Sequence, residues 1–126
     1  MDERELFFFN GHLAVLPLYE AFRERLLADA ADVEVRVQKT QISFYRHRMF
    51  ACVSFAKVRR KAERPEDYIV VTFGLGRRVD SPRIDAAAEP YPGRWTHHVT
   101  LADPIEIDGD LMGWLREAAA FAASKR

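Results

Sequence analysis

The chain of 126 residues holds one cysteine, Cys52. It can form no internal disulfide, and such a sequence suits a reducing compartment. Long apolar runs are missing as well: none approaches the roughly 20 residues needed for a helix to cross a bilayer. The opening Met1-Asp2-Glu3-Arg4-Glu5 lacks the basic stretch of a secretory signal, so a cytoplasmic location is expected. There is no excess charge of either sign, with 19 basic and 19 acidic side chains. Aromatic poverty, the mark of a disordered chain, is absent too: Phe, Trp and Tyr make up 12% of residues. The length fits a single domain, 1–126, large enough to bury a core without metal or disulfide staples.

The balanced total hides an uneven distribution. Residues 1–38 carry four basic and eight acidic side chains, 39–98 twelve and six, and 99–126 three and five. From Val35 to Ala62 there is no carboxylate, while Arg36, Lys39, Arg46, Arg48, Lys57, Arg59, Arg60 and Lys61 all fall there. A bias of this kind points toward anionic partners.

Hydrophobic spacing sets the expected elements. Leu6-Phe7-Phe8-Phe9 is a short apolar run closed by Asn10-Gly11, expected to plug an edge of the core. Pro17 suits a first helical turn, and Leu18, Phe22 and Leu26 repeat on one face, predicting a helix over 17–30. Val33, Val35 and Val37 alternate with polar residues, as in a half-buried strand. Ile42 and Phe44 continue the pattern in a second strand, Phe50 to Val58 makes a third, Tyr68 to Leu75 a fourth and Trp95 to Leu101 a fifth. The links are too short for crossover helices, which makes the sheet antiparallel. Asp108 is the expected N-cap of a last helix with Leu111, Trp114, Leu115, Ala118, Phe121 and Ala122 on its buried face. The fold class is therefore α+β: two layers, an antiparallel sheet of about five strands, and an N-terminal and a C-terminal helix on one face. Residues 76–94 read as a long loop, a feature that is usually functional or mobile.

Residues 33–44 (Val-x-Val-x-Val-x-Lys-Thr-x-Ile-x-Phe), Phe50-Ala51, Trp95 with His98, and Leu111, Trp114-Leu115 and Ala118 form a broader pattern. It resembles a widespread bacterial domain family of unknown function, some of whose members are labelled "predicted transport protein". In element order the chain is also similar to YjbR-type domains, described as a double-wing DNA-binding topology. Neither resemblance brings a catalytic mechanism or catalytic residues.

Two features bear on chemistry. The basic segment, with Tyr45 and His47 among its cations, is suited to the phosphates and unpaired bases of nucleic acid. Solvated charge on a wet sheet face and its edges accounts for the same residues. Arg77, Arg78, Arg83 and Arg94 bring guanidinium groups, suited to phosphate or carboxylate, to the 76–94 segment. Surface ion pairs are the alternative there. Gly74-Leu75-Gly76 follows a strand, but Val79 occupies the third glycine position of a dinucleotide loop, and Ser81-Pro82 follows instead of a helix. It reads as the exit of a strand. His97 and His98 are adjacent and so point to opposite faces of a strand. His97 is expected to be buried and His98 to look outward. No metal site, cofactor or catalytic group emerges, and Cys52 reads as a small buried hydrophobe.

The expected function is that of a binding or interaction module, without membrane association, acting as a monomer or homodimer. Its ligand is anionic, nucleic acid ahead of a small anionic metabolite, and the contact group is Lys39, Arg46, Arg48, Arg59, Arg60, Arg83, Arg94 and His98. The alternative is a small enzyme or ligand carrier with a pocket under loop 76–94. There His98 would act as acid and base, and Arg83 and Arg94 would clamp the anion. A third possibility is a structural domain that dimerises through a sheet edge.

Overall fold

Asp2 accepts a hydrogen bond from the Glu5 backbone N–H (3.0 Å) and so starts helix α1, Glu3–Phe8. The computed structural model describes residues 1–30 and 32–125. Helix α2, Leu16–Asp29, carries Pro17 in its first turn, and Leu18, Tyr19, Phe22 and Leu26 are its buried residues. Helix α3, Gly109–Ala123, is capped by Asp108, whose carboxylate accepts from the Leu111 N–H (3.0 Å). Leu111, Met112, Leu115, Ala118, Ala119 and Ala122 are buried along it.

Six strands, not five, make up the sheet. They are β1 Glu34–Val37, β2 Gln41–Arg46, β3 Arg48–Ser54, β4 Ile69–Leu75, β5 Ala86–Tyr91 and β6 Arg94–Leu101. All pairings are antiparallel and the order is β1-β2-β3-β4-β6-β5. The expected loop 76–94 thus contains a strand. Ala86-Ala87-Ala88-Glu89-Pro90-Tyr91 has little β propensity, but an edge strand pairs on one side only and tolerates proline. Pro92-Gly93, with Gly93 at φ +83°, turns the chain into β6, since positive φ costs glycine nothing.

Period two assigns each strand residue to a face. Ile42, Phe44, Ala51, Val53, Ile69, Val71, Phe73, Leu75, Val99 and Leu101 belong to one core with the apolar residues of α2 and α3. Phe22 meets Phe44 edge-on (6.1 Å between centroids), and Trp114 stacks over Phe73 (6.0 Å). Val33, Val35 and Val37 are only half-buried, because β1 is an edge strand. β3 ends at Ser54 rather than Val58. Phe55 leaves the sheet to stack on Phe8 (5.2 Å) and His12 (3.8 Å). The opening apolar run is mostly helical, and its Phe9 is fully buried against Tyr19 (4.8 Å).

His97 is fully buried on the core face, stacked on Phe73 (5.1 Å). Its Nε2 accepts from the Val79 N–H (2.9 Å), which puts the ring proton on Nδ1 of a neutral imidazole. Burial holds its pKa below the ordinary 6.5. The unfolded chain therefore takes up a proton more readily than the folded one. The stability that follows is complete above about pH 6.5 and is lost as pH falls below it. Urea unfolding is expected to show a plateau near neutrality and a decline from pH 7 to 5. In His97→Gln, which retains an acceptor but does not titrate, that decline should be shallower. Equal declines in the two proteins would remove His97 as its source.

Candidate anion-binding face

The sheet face opposite the helices carries a row of small polar side chains. Ser43, Cys52, Thr72 and His98 lie side by side on β2, β3, β4 and β6. Thr72 Oγ1 is 2.8 Å from His98 Nδ1. Burial lowers the His98 pKa, with the Asp85 carboxylate pulling the other way, so the imidazole acts at neutral pH as a hydrogen-bonding group rather than a cation. Burial raises the Cys52 thiol, against a hydrogen bond from Thr72, which leaves the sulfur protonated and a poor nucleophile.

The next pair along β4 and β6 is Gly74 and Thr96. Arg94, on the same face as Thr96 and His98, lays its guanidinium directly over Gly74. A Cβ at position 74 would come within 2.7 Å of Arg94 Nη2 and 2.8 Å of Cζ. Glycine is what allows this close approach. Among the described residues no carboxylate pairs with Arg94, and the side chain is half-buried. A partly desolvated guanidinium without a counter-charge is a ready anion site.

The eight residues proposed from sequence do not form one cluster. Arg46, Arg48 and Arg94 share the end of the sheet formed by the β2–β3 and β5–β6 hairpins. Arg46 pairs with Asp32 (3.3 Å), whereas exposed Arg48 has no acidic partner among the described residues. Lys39 sits in the β1–β2 turn at the opposite end, beside an apolar groove. Arg59 bonds Asp85 (2.7 Å), whose other carboxylate oxygen accepts from the Thr100 N–H (2.7 Å). Arg60 pairs with Glu63 (2.6 Å).

Arg83 is held by Asp108 (2.7 Å) and by the Glu106 carbonyl (2.8 Å). Arg77 makes two bonds to Glu117 (2.9 and 2.8 Å). With Val79 and Ile84 packed into the core, these bonds stitch segment 76–85 against α3. Most of its cations are struts. The residues that sequence reasoning passed over are Thr72 and Gly74. A glycine inside a strand is itself a signal of close backbone approach, and Gly74 lies within β4 rather than at its exit.

A family model described as "Domain of unknown function (DUF5655)" matches residues 7–122. The chain belongs to the DUF5655 family. No curated protein and no solved structure matches it. The matched part of this DUF5655 domain takes in all six strands and nearly all of α3, so the Arg94–Gly74 pair and the Ser43–His98 row lie within the family's own fold. Among the described residues of the DUF5655 domain, no three His, Cys, Asp or Glu side chains are placed to hold a metal ion. No described helix is long and apolar enough to cross a membrane.

Proposed function

We propose that this DUF5655 domain binds an anionic ligand on the outer face of its sheet, nucleic acid ahead of a phosphate- or carboxylate-bearing metabolite. The observation that carries the proposal is the unneutralised Arg94 guanidinium held over Gly74. Around it, Thr72 and His98 offer hydrogen-bonding groups, and Arg48 adds charge at the same end of the sheet. Tyr45 is an aromatic platform on this face, with the Arg36 guanidinium 4.0 Å from its ring centroid. Ser43 and Cys52 at the centre of the face are buried, so the groups within reach of a ligand are the half-buried Thr72, His98 and Arg94. An aromatic platform beside a guanidinium without a counter-charge suits the bases and phosphates of a single strand. The similarity in element order to YjbR-type domains points the same way, and the proposal carries with it a cytoplasmic place of action.

The test is fluorescence anisotropy with labelled single-stranded oligonucleotides across a salt series. Binding should be weak, with a dissociation constant of about 10⁻⁴ to 10⁻⁶ M at physiological salt. Arg94→Ala should weaken it and flatten the logarithmic salt slope by about 0.7, the share of one phosphate on a single strand. Gly74→Ala keeps every charge but displaces the guanidinium, and should also weaken binding. Arg60→Ala, far from this end, is the control. Arg59 is unsuitable as a control because its bond to Asp85 is structural. Wild-type affinity in both Arg94→Ala and Gly74→Ala, or no binding at low salt, would overturn the proposal.

A further inference from the structure

The two edges of the sheet differ in how they are protected. β5 carries Pro90, which offers no N–H, and its pairing with β6 shifts register between Ala88 and Tyr91. Both devices discourage a further strand from adding. β1 has neither. It pairs with β2 in an unbroken register from Glu34↔Tyr45 to Val37↔Ile42, and nothing in the sheet pairs with its other side.

The side chains of β1 are self-complementary. If two copies of β1 pair antiparallel about Val35, residue 34 of each faces residue 36 of the other. Glu34 then stands opposite Arg36 twice, on the outer face of the joined sheet. Val33 faces Val37 and Val35 faces its own equivalent, all on the helix side. In the single chain Arg36 turns back on Glu34 of its own strand (3.0 and 3.1 Å), with both side chains more than half exposed (52% and 61%). These charges are free to exchange an intrachain pair for a cross-strand one. The valines are half-buried and would gain cover. Beside β1, Phe7 of α1 is 76% exposed and lines, with Val37, Phe8 and Phe55, a mainly apolar groove of about 770 Å³. An exposed large apolar group next to an open edge adds area that four strand residues alone do not supply.

We infer that a second copy of this chain docks on β1, forming a two-fold dimer in which the two sheets join as one of twelve strands. The interface is isologous, so each charge reversal acts at two places. The test is mass measurement by light scattering and sedimentation on the full chain over a range of concentrations. Wild type is expected to dimerise as concentration rises. Arg36→Glu places like charges opposite each other in both pairs and should be monomeric, as should Glu34→Arg. The double variant Glu34→Arg/Arg36→Glu restores complementarity and should dimerise again. A mixture of the two single variants should form the heterodimer, because each then meets its opposite.

Residues 34 and 36 are solvent-exposed, so circular dichroism should be unchanged in all variants. A wild type that stays monomeric at every concentration overturns the inference. So does a dimer indifferent to both single reversals, or one broken by Phe7→Ser but not by Arg36→Glu, which would put the contact on α1 alone. Oligonucleotide binding at Arg94 is read separately, so failure of one proposal leaves the other standing.

Discussion

Replacing Phe22 by Ala is expected to lower the unfolding free energy by about 3–5 kcal/mol, the usual cost of emptying a fully buried aromatic site. Phe22 is completely excluded from solvent, and its ring meets Phe44 of β2 edge-on. The space it leaves lies between a helix and the sheet, where backbone cannot easily collapse. Against a total of about 5–15 kcal/mol for a domain, the variant would be marginal. The measurement is urea unfolding, with the midpoint falling and the slope unchanged. Phe22→Leu, which keeps most of the volume, should lose much less. Trp114→Ala should also lose less than Phe22→Ala, because Trp114 is only half-buried. A loss below about 1 kcal/mol in Phe22→Ala would mean that α2 is not part of the cooperative core.

The second large effect is expected at Glu5. Its side chain is 3% exposed and accepts from Tyr19 OH (2.6 Å), Arg23 Nε (2.7 Å) and Arg23 Nη2 (3.2 Å). Burial, and then the neighbouring carboxylate, push the Tyr19 phenol far above its ordinary range. Glu5→Ala strands both donors, which for a buried pair costs about 3–5 kcal/mol. Arg23 is 23% exposed and water can partly replace the lost partner, so about 3 kcal/mol is expected. Glu5→Gln keeps an acceptor for Tyr19 and should cost less. The diagnostic is the double variant Glu5→Ala/Arg23→Met, whose loss should fall well short of the sum of the singles. Strict additivity would show that the three groups are not coupled. The bond matters beyond its own energy because α1, with six residues, is too short to persist without tertiary contacts.

Elements with strong periodicity were legible in the sequence. Val33 to Val37, Ile42 with Phe44, and Ile69 to Phe73 each alternate on a two-residue period, and Leu111 to Ala122 repeats at helical spacing. β5 was not legible, because alanines and a proline carry no strand signal and the strand exists through its one partner, β6. The Pro92-Gly93 turn was the clue available. α1 was hidden by its brevity, although Asp2 three residues before buried Glu5 is an N-cap pattern. At the candidate site, the basic bias of residues 35–62 was visible, but sequence cannot show which cations are already neutralised. Asp32 for Arg46, Asp85 for Arg59 and Asp108 for Arg83 are distant or unremarkable in the chain and adjacent only after folding. Gly74 illustrates the converse. Its missing side chain matters only once Arg94, twenty residues later, crosses over it.

The strand order sets a sequence of events for the nascent chain. β1 to β4 are neighbours in both chain and sheet, so each can pair with its predecessor as it emerges, at small cost in loop closure. β4 then presents an open margin, because its other neighbour is β6 and not β5. That margin waits until residues 94–101 have left the ribosome, by which time β5 is available to fold on β6 as a tight hairpin. The final strand pair therefore docks as a unit, and α3 follows it to close the apolar face. An exposed, mainly apolar strand such as Ile69–Leu75 is the stretch most open to pairing with another molecule in this interval. A domain whose sheet is completed by its last strand pair is most vulnerable to aggregation until residues 94–101 have emerged.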